Sequence, residues 1–161
     1  MKDNIAFLTY FNLALGIENE VANWIVTMGG KAFLYPKKLR PSSDIRQQFR
    51  DTGDVAILRH NGIHRVEVKS TTVDFTTADT WPFNYGLFVD ECYHVDNVPS
   101  EMDPLYAYVV VSSNKTHIAV IKASTKPHWT IKRDVYDRAQ QRKCDMYVCP
   151  VSHAKFGRMQ P

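Results

Sequence analysis

Apolar residues at Leu13, Ile17, Val21, Trp24, Ile25 and Met28 recur at helical spacing and predict a helix over 12–29. Asn12 stands where an N-cap belongs, and Gly29-Gly30 supply the stop. A short strand is expected at 31–35, followed by a basic loop from Pro36 to Pro41 and a helical turn at 44–50. Two apolar–polar alternating segments, 54–60 and 63–69, flank Asn61-Gly62, the strongest short hairpin signal. Residues 70–84 read as irregular, 85–92 as a strand and 93–104 as a polar loop. The runs 105–111 and 117–123 are almost continuously apolar, which predicts strands buried on both faces. Residues 132–143 read as a helix, with Asp134 and Arg138 spaced as an i,i+4 pair, and 146–151 as a last strand. This order predicts one α/β domain over 1–161, with a mixed central β-sheet flanked by helices.

The hairpin sorts its own chemistry. A two-residue Asn61-Gly62 loop pairs His60 with Ile63, so Ala56 faces Glu67, Val55 faces Val68 and Asp54 faces Lys69. Alternation then puts Val55, Ile57, Val66 and Val68 on one face and Asp54, Glu67 and Lys69 on the other. Diagonal neighbours lie ~7–8 Å apart, so Asp54 and Glu67 can converge on one cation. Two carboxylates and an ammonium suit metal-assisted phosphodiester hydrolysis. Mg²⁺ takes hard oxygen ligands, commonly one or two carboxylates with water and phosphate. The lysine can orient or help deprotonate the attacking water. A regular strand also aims the backbone carbonyl of Val68 into this space.

The chain has 161 residues, 44% of them hydrophobic and 23% charged, which excludes a disordered chain. No apolar stretch reaches the ~20 residues of a membrane span, and no membrane partner is expected. Residues 5–15 resemble a signal-peptide core faintly, but Thr9, Tyr10 and Asn12 favour folded structure. Three cysteines, Cys92, Cys144 and Cys149, give no disulfide framework and suit a reducing cytoplasm. Their spacing with His94 is poor for a zinc site.

Charge is segregated along the chain. Residues 1–114 carry 10 Lys and Arg against 14 Asp and Glu, whereas residues 115–161 carry 10 against 3. Lys37, Lys38 and Arg40 in the early loop, with Arg133, Arg138, Arg142 and Lys143 late in the chain, are the candidate phosphate contacts. Trp81, Tyr85, Trp129 and Tyr136 are candidates for stacking on unpaired bases. No phosphate-cradling glycine loop, dinucleotide fingerprint, nucleophile elbow or HExxH motif occurs.

Gly53-Asp54, followed after the turn by Glu67-Val68-Lys69, resembles the PD-(D/E)XK nuclease superfamily. Its core is helix, three strands, helix and strand, with a metal-binding Asp at one strand and an acidic-x-Lys triplet on the next. The resemblance implies a restriction-endonuclease-like core with extra strands, closed by the 132–143 helix and the 146–151 strand. Gly53-Asp54 stands where the family's Pro-Asp does. Gly16-x-x-x-Glu20 resembles the helix carboxylate of resolvase-like members. Helical phase does not separate Glu18 from Glu20, and the resemblance favours Glu20.

The expected activity is a Mg²⁺-dependent endonuclease, with Mn²⁺ able to substitute and DNA as the polymer. Asp54 and Glu67 hold the metal with the Val68 carbonyl, Lys69 handles the water and Glu20 assists. A homodimer would supply two sites for cutting a duplex, with 70–114 at its interface. A mobile-element or phage setting in a bacterial cell follows by analogy alone. Two other readings stand beside it: a catalytically silent nucleic-acid-binding or protein-interaction module of the same fold, and an enzyme for a small phosphorylated substrate. In the plainest reading Asp54–Lys69 is a surface cross-strand ion pair.

Overall fold

Helix α1 runs over Lys2–Thr27 in a computed structural model that describes residues 2–36, 53–138 and 140–159, with side chains from residue 15 onward. It begins ten residues before the expected Asn12 cap. Residues 2–11 contain no Gly or Pro to break a helix, so the cap signal at Asn12 is overridden. The end falls as expected. Gly29 adopts φ +87°, and the Gly30 amide donates to the Ile25 carbonyl at 2.9 Å. Met28, the last member of the apolar stripe, lies past the helix end and is 73% exposed.

Chain contacts divide the molecule into two compact units, Met1–Val68 with Asp103–Leu105, and Lys69–Met102 with Tyr106–Pro161. In the first unit, α1 packs on β1 (Ala32–Leu34) and β2 (Val55–Arg59). β1, β2 and β3 (Gly62–Ser70) pair antiparallel in that order. Val21, Val55, Ala56, Ile57 and Val66 are buried. β2 is therefore covered on both faces, because Val55 and Ile57 point one way and Ala56 the other.

The hairpin register differs from the expected one. Arg59 pairs with Gly62, so the loop is His60-Asn61. Gly62 takes φ +118°, whereas Asn61 does not enter positive φ. That is a turn with glycine at its fourth position, in place of the expected Asn-Gly turn that needs positive φ at both residues. Each partner moves by two residues. Val55 lies opposite Val66 and Ala56 opposite Arg65.

In the second unit, β5 (Leu105–Val111), β6 (His117–Lys122) and β9 (Lys155–Arg158) pair antiparallel in that order. Residues 107–111 are all buried, as their continuous apolarity predicts. A second sheet has the order β4 (Leu87–Glu91), β8 (Arg142–Cys149), β7 (Thr130–Asp137), again antiparallel. A one-turn helix, α2 (Cys92–Asp96), occupies the start of the expected loop.

The helix expected over 132–143 is instead the β7–β8 hairpin. Its helical signal was one charge pair, worth a few tenths of a kcal/mol. Thr130, Ile131, Val135 and Tyr136 favour an extended chain, and β8 supplies the ladder. The closing helix of the expected core is thus absent among the described residues. β9 was not foreseen, and the turn expected at 44–50 lies outside the described residues. The architecture is mixed α/β, with mostly antiparallel sheet and few helices.

Candidate functional site

Asp54 sits one residue before β2, and continuing the β2–β3 ladder sets it directly opposite Glu67 rather than Lys69. Its carboxylate Oδ2 accepts the Val68 amide at 2.7 Å. The Asp54 carboxylate is therefore held by the backbone of the Glu67-Val68-Lys69 triplet itself. Gly53 explains why glycine precedes the aspartate. Its φ is +142°, which proline's ring forbids. A Cβ there would also meet the Tyr35 ring at 3.0 Å and the Arg65 Cβ at 3.3 Å.

Arg65, two residues before Glu67 on β3, is only 6% exposed. Its guanidinium pairs with the Glu67 carboxylate, and its Nε donates to the Asp103 carbonyl at 3.0 Å. The Tyr35 hydroxyl donates to Asp103 Oδ2 at 2.6 Å. Burial, reinforced by Asp103, pushes the Tyr35 phenol well above its ordinary value, so it remains a donor across the usable pH range. The chain Tyr35–Asp103–Arg65–Glu67 fixes the Glu67 side chain. None of this was foreseen. Its links span up to 68 residues of sequence, and no local pattern marks them.

On α1, Glu18 is 6% exposed and Glu20 is half-buried, with its Oε2 shielded and without a hydrogen-bond partner among the described residues. One oxygen of each carboxylate is thus shielded from solvent on the helix that packs on β1 and β2. Among the described residues no three His, Cys, Asp or Glu side chains gather as a complete metal cage. Asp54 and Glu67 supply two carboxylates from directly opposite positions, a number that fits Mg²⁺ when waters and phosphate oxygens complete its shell.

The remaining candidates lie elsewhere. Lys69 Nζ is 3.2 Å from Asp90, so the expected Asp54–Lys69 cross-strand pairing is replaced by an ion pair in the second unit. Arg142 grips Glu91 through two bonds, at 2.9 and 2.5 Å, and Arg133 reaches Asp145 at 2.5 Å. Arg138 and Lys143 are exposed on the β7–β8 hairpin. Lys37, Lys38 and Arg40 lie outside the described residues. Asp96 takes Lys126 at 2.8 Å, which holds its carboxyl below the usual range. Cys92 is in α2 rather than a strand, and Cys144 and Cys149 are buried in β8. All three thiols are free.

No helix among the described residues is long and apolar enough to cross a membrane. Compared with protein-family models, curated proteins and solved structures, the chain matches none of them.

Proposed function

We propose that the first unit carries a site for metal-assisted phosphodiester hydrolysis and that the protein is a Mg²⁺-dependent nuclease acting on DNA. The observation that carries this reading is the facing of Asp54 and Glu67, with the Asp54 carboxylate bonded to the amide between Glu67 and Lys69. The helix followed by three antiparallel strands in this unit is compatible with the first half of a restriction-endonuclease-like core.

In this reading Asp54, Glu67 and the Val68 carbonyl hold the ion. Bound there, Mg²⁺ would lower the pKa of a coordinated water and offset phosphate charge. Lys69 lies two residues from Glu67 on the same strand and would orient that water. Glu20 is the further carboxylate on α1. Mn²⁺ would substitute, since the ligands are hard oxygens.

The test is incubation of supercoiled plasmid, linear duplex and single-stranded DNA with Mg²⁺ or EDTA, using the parent protein, Asp54→Asn and Glu67→Gln. Cleavage that needs Mg²⁺ and both carboxylates supports the reading. Cleavage by neither the parent nor the variants on any substrate overturns it.

A specific observation favours a second reading, a catalytically silent nucleic-acid-binding module. Glu67 is already paired with Arg65, and Lys69 with Asp90. Such a module would bind nucleic acid equally well with EDTA and would not cut it.

A further inference from the structure

In the second unit, the loop 81–86 that leads into β4 is built from aromatic rings held in place. The Trp81 Nε1 donates to the Gly86 carbonyl at 3.0 Å, closing the loop on itself. Gly86 takes φ +105°, and a Cβ there would lie 2.3 Å from the Cys149 carbonyl oxygen. The loop is thus pinned against β8 by a contact only glycine permits. Phe83 and Tyr85 stack at 5.3 Å with 19° between planes, and Phe88 lies 5.1 Å beyond Tyr85. All four rings remain half-exposed.

These rings, with Met146 and Ser70, surround a pocket of about 210 Å³. That is below the ~300–1,000 Å³ of pockets for drug-sized ligands, so it has room for a single ring system. Its walls are mostly carbon. Of the two ammonium groups nearby, Lys69 is paired with Asp90. Lys132 stands 4.0 Å over the Tyr85 ring, is exposed, and has no ion pair with a described residue. Lys132 lies opposite Met146 in the β7–β8 ladder, so its place beside the pocket is fixed by the sheet.

We propose that this pocket takes one unpaired nucleobase of a nucleic-acid strand, with Lys132 meeting an adjacent phosphate. A planar apolar ring bearing a nearby anion is the chemistry that aromatic walls complement, together with an ammonium held over Tyr85 and Phe88 without an ion pair to a described residue. A duplex base cannot enter without leaving its stack. The pocket therefore names the form of the polymer, a strand with at least one unpaired base. It rests on the proposed nucleic-acid function for the class of polymer alone.

The experiment measures fluorescence anisotropy of labelled dT12 and of a 12-base-pair duplex with the full chain in EDTA, so that cleavage plays no part. Tyr85→Leu, which removes an aromatic wall of the pocket and the ring under Lys132, should weaken dT12 binding roughly fivefold or more and leave duplex binding within twofold. Lys132→Gln, an exposed substitution, should weaken dT12 binding and lower its salt slope by about 0.7, the single-strand value for one phosphate contact. Competition by dTMP distinguishes a strand from a free nucleotide, because dTMP should compete at least a hundredfold more weakly than dT12. Parental dT12 affinity in both variants, equal losses on duplex, or dTMP competing as well as dT12 would each overturn the proposal. Asp54→Asn should bind dT12 at least as tightly as the parent, so loss of cleavage there bears on the hydrolase reading and leaves the pocket untouched.

Discussion

Arg65 is the residue whose placement changes most for the first unit. A buried guanidinium on Glu67 competes with any divalent cation for the same carboxylate. An opposite charge at such range shifts a carboxylate's affinity for another cation by roughly ten- to a thousandfold. Arg65→Gln should therefore bind Mn²⁺ at least tenfold more tightly by calorimetry, while Arg65→Lys should stay near the parent. Weaker Mn²⁺ binding in Arg65→Gln would show that the arginine only supports the site. At Gly53, alanine must hold φ +142° against the Tyr35 ring. Gly53→Ala should cost roughly 1–3 kcal/mol of stability in urea unfolding. The shared face of Asp54 and Glu67 was legible from strand alternation, but their direct opposition was not, because the turn pairs Arg59 with Gly62 instead of His60 with Ile63. Tyr35, Asp103 and the buried state of Arg65 were not, since each depends on partners distant in sequence.

At the scale of elements, what could be read depended on whether one strong pattern acted alone. The continuous apolar runs of β5 and β6 have one physical outcome, burial on both faces, and both strands form where expected. The β7–β8 segment offered two weak patterns in conflict, a helical charge pair and a β-branched run, and the ladder with β8 decided between them. That hairpin carries strain of its own. Gln141 is held at φ +51° and Asp134 at φ +53°. Gln141→Gly should relieve the left-handed strain at some entropic cost, a net gain of roughly 0.5–1 kcal/mol in urea unfolding. A loss of stability would mean that the Gln141 side chain contributes contacts that outweigh the backbone.

Across the whole molecule, folding offsets part of the charge segregation seen along the sequence. The stretch 70–114 has no Lys or Arg, and three of its seven acids pair with cations from outside that stretch: Asp90 with Lys69, Glu91 with Arg142, Asp96 with Lys126. Stability should accordingly decline at both ends of the pH scale. Lys126 and Arg133 hold the Asp96 and Asp145 carboxyls below their ordinary values. A depressed folded-state pKa gives stability that is present above about pH 4 and lost as pH falls through the lowered value. Burial pushes the Cys144 and Cys149 thiols up. A raised folded-state pKa gives stability that is present below about pH 8.5 and lost as pH rises, because only the unfolded thiol ionises. Thermal unfolding between pH 3 and 10 should show a plateau between these limits. A melting temperature still rising from pH 8.5 to 10 would contradict the alkaline limb.

The two-residue displacement of the β2–β3 register has a genetic consequence. Facing of Asp54 and Glu67 is a matter of parity: a slip by two leaves both acids on one side of the sheet, whereas a slip by one separates them. Lengthening or shortening the His60-Asn61 turn by a single codon should thus be far more damaging to the acid pair than a change of two. A library of in-frame insertions at this turn, sorted by metal binding, should keep even lengths and discard odd ones.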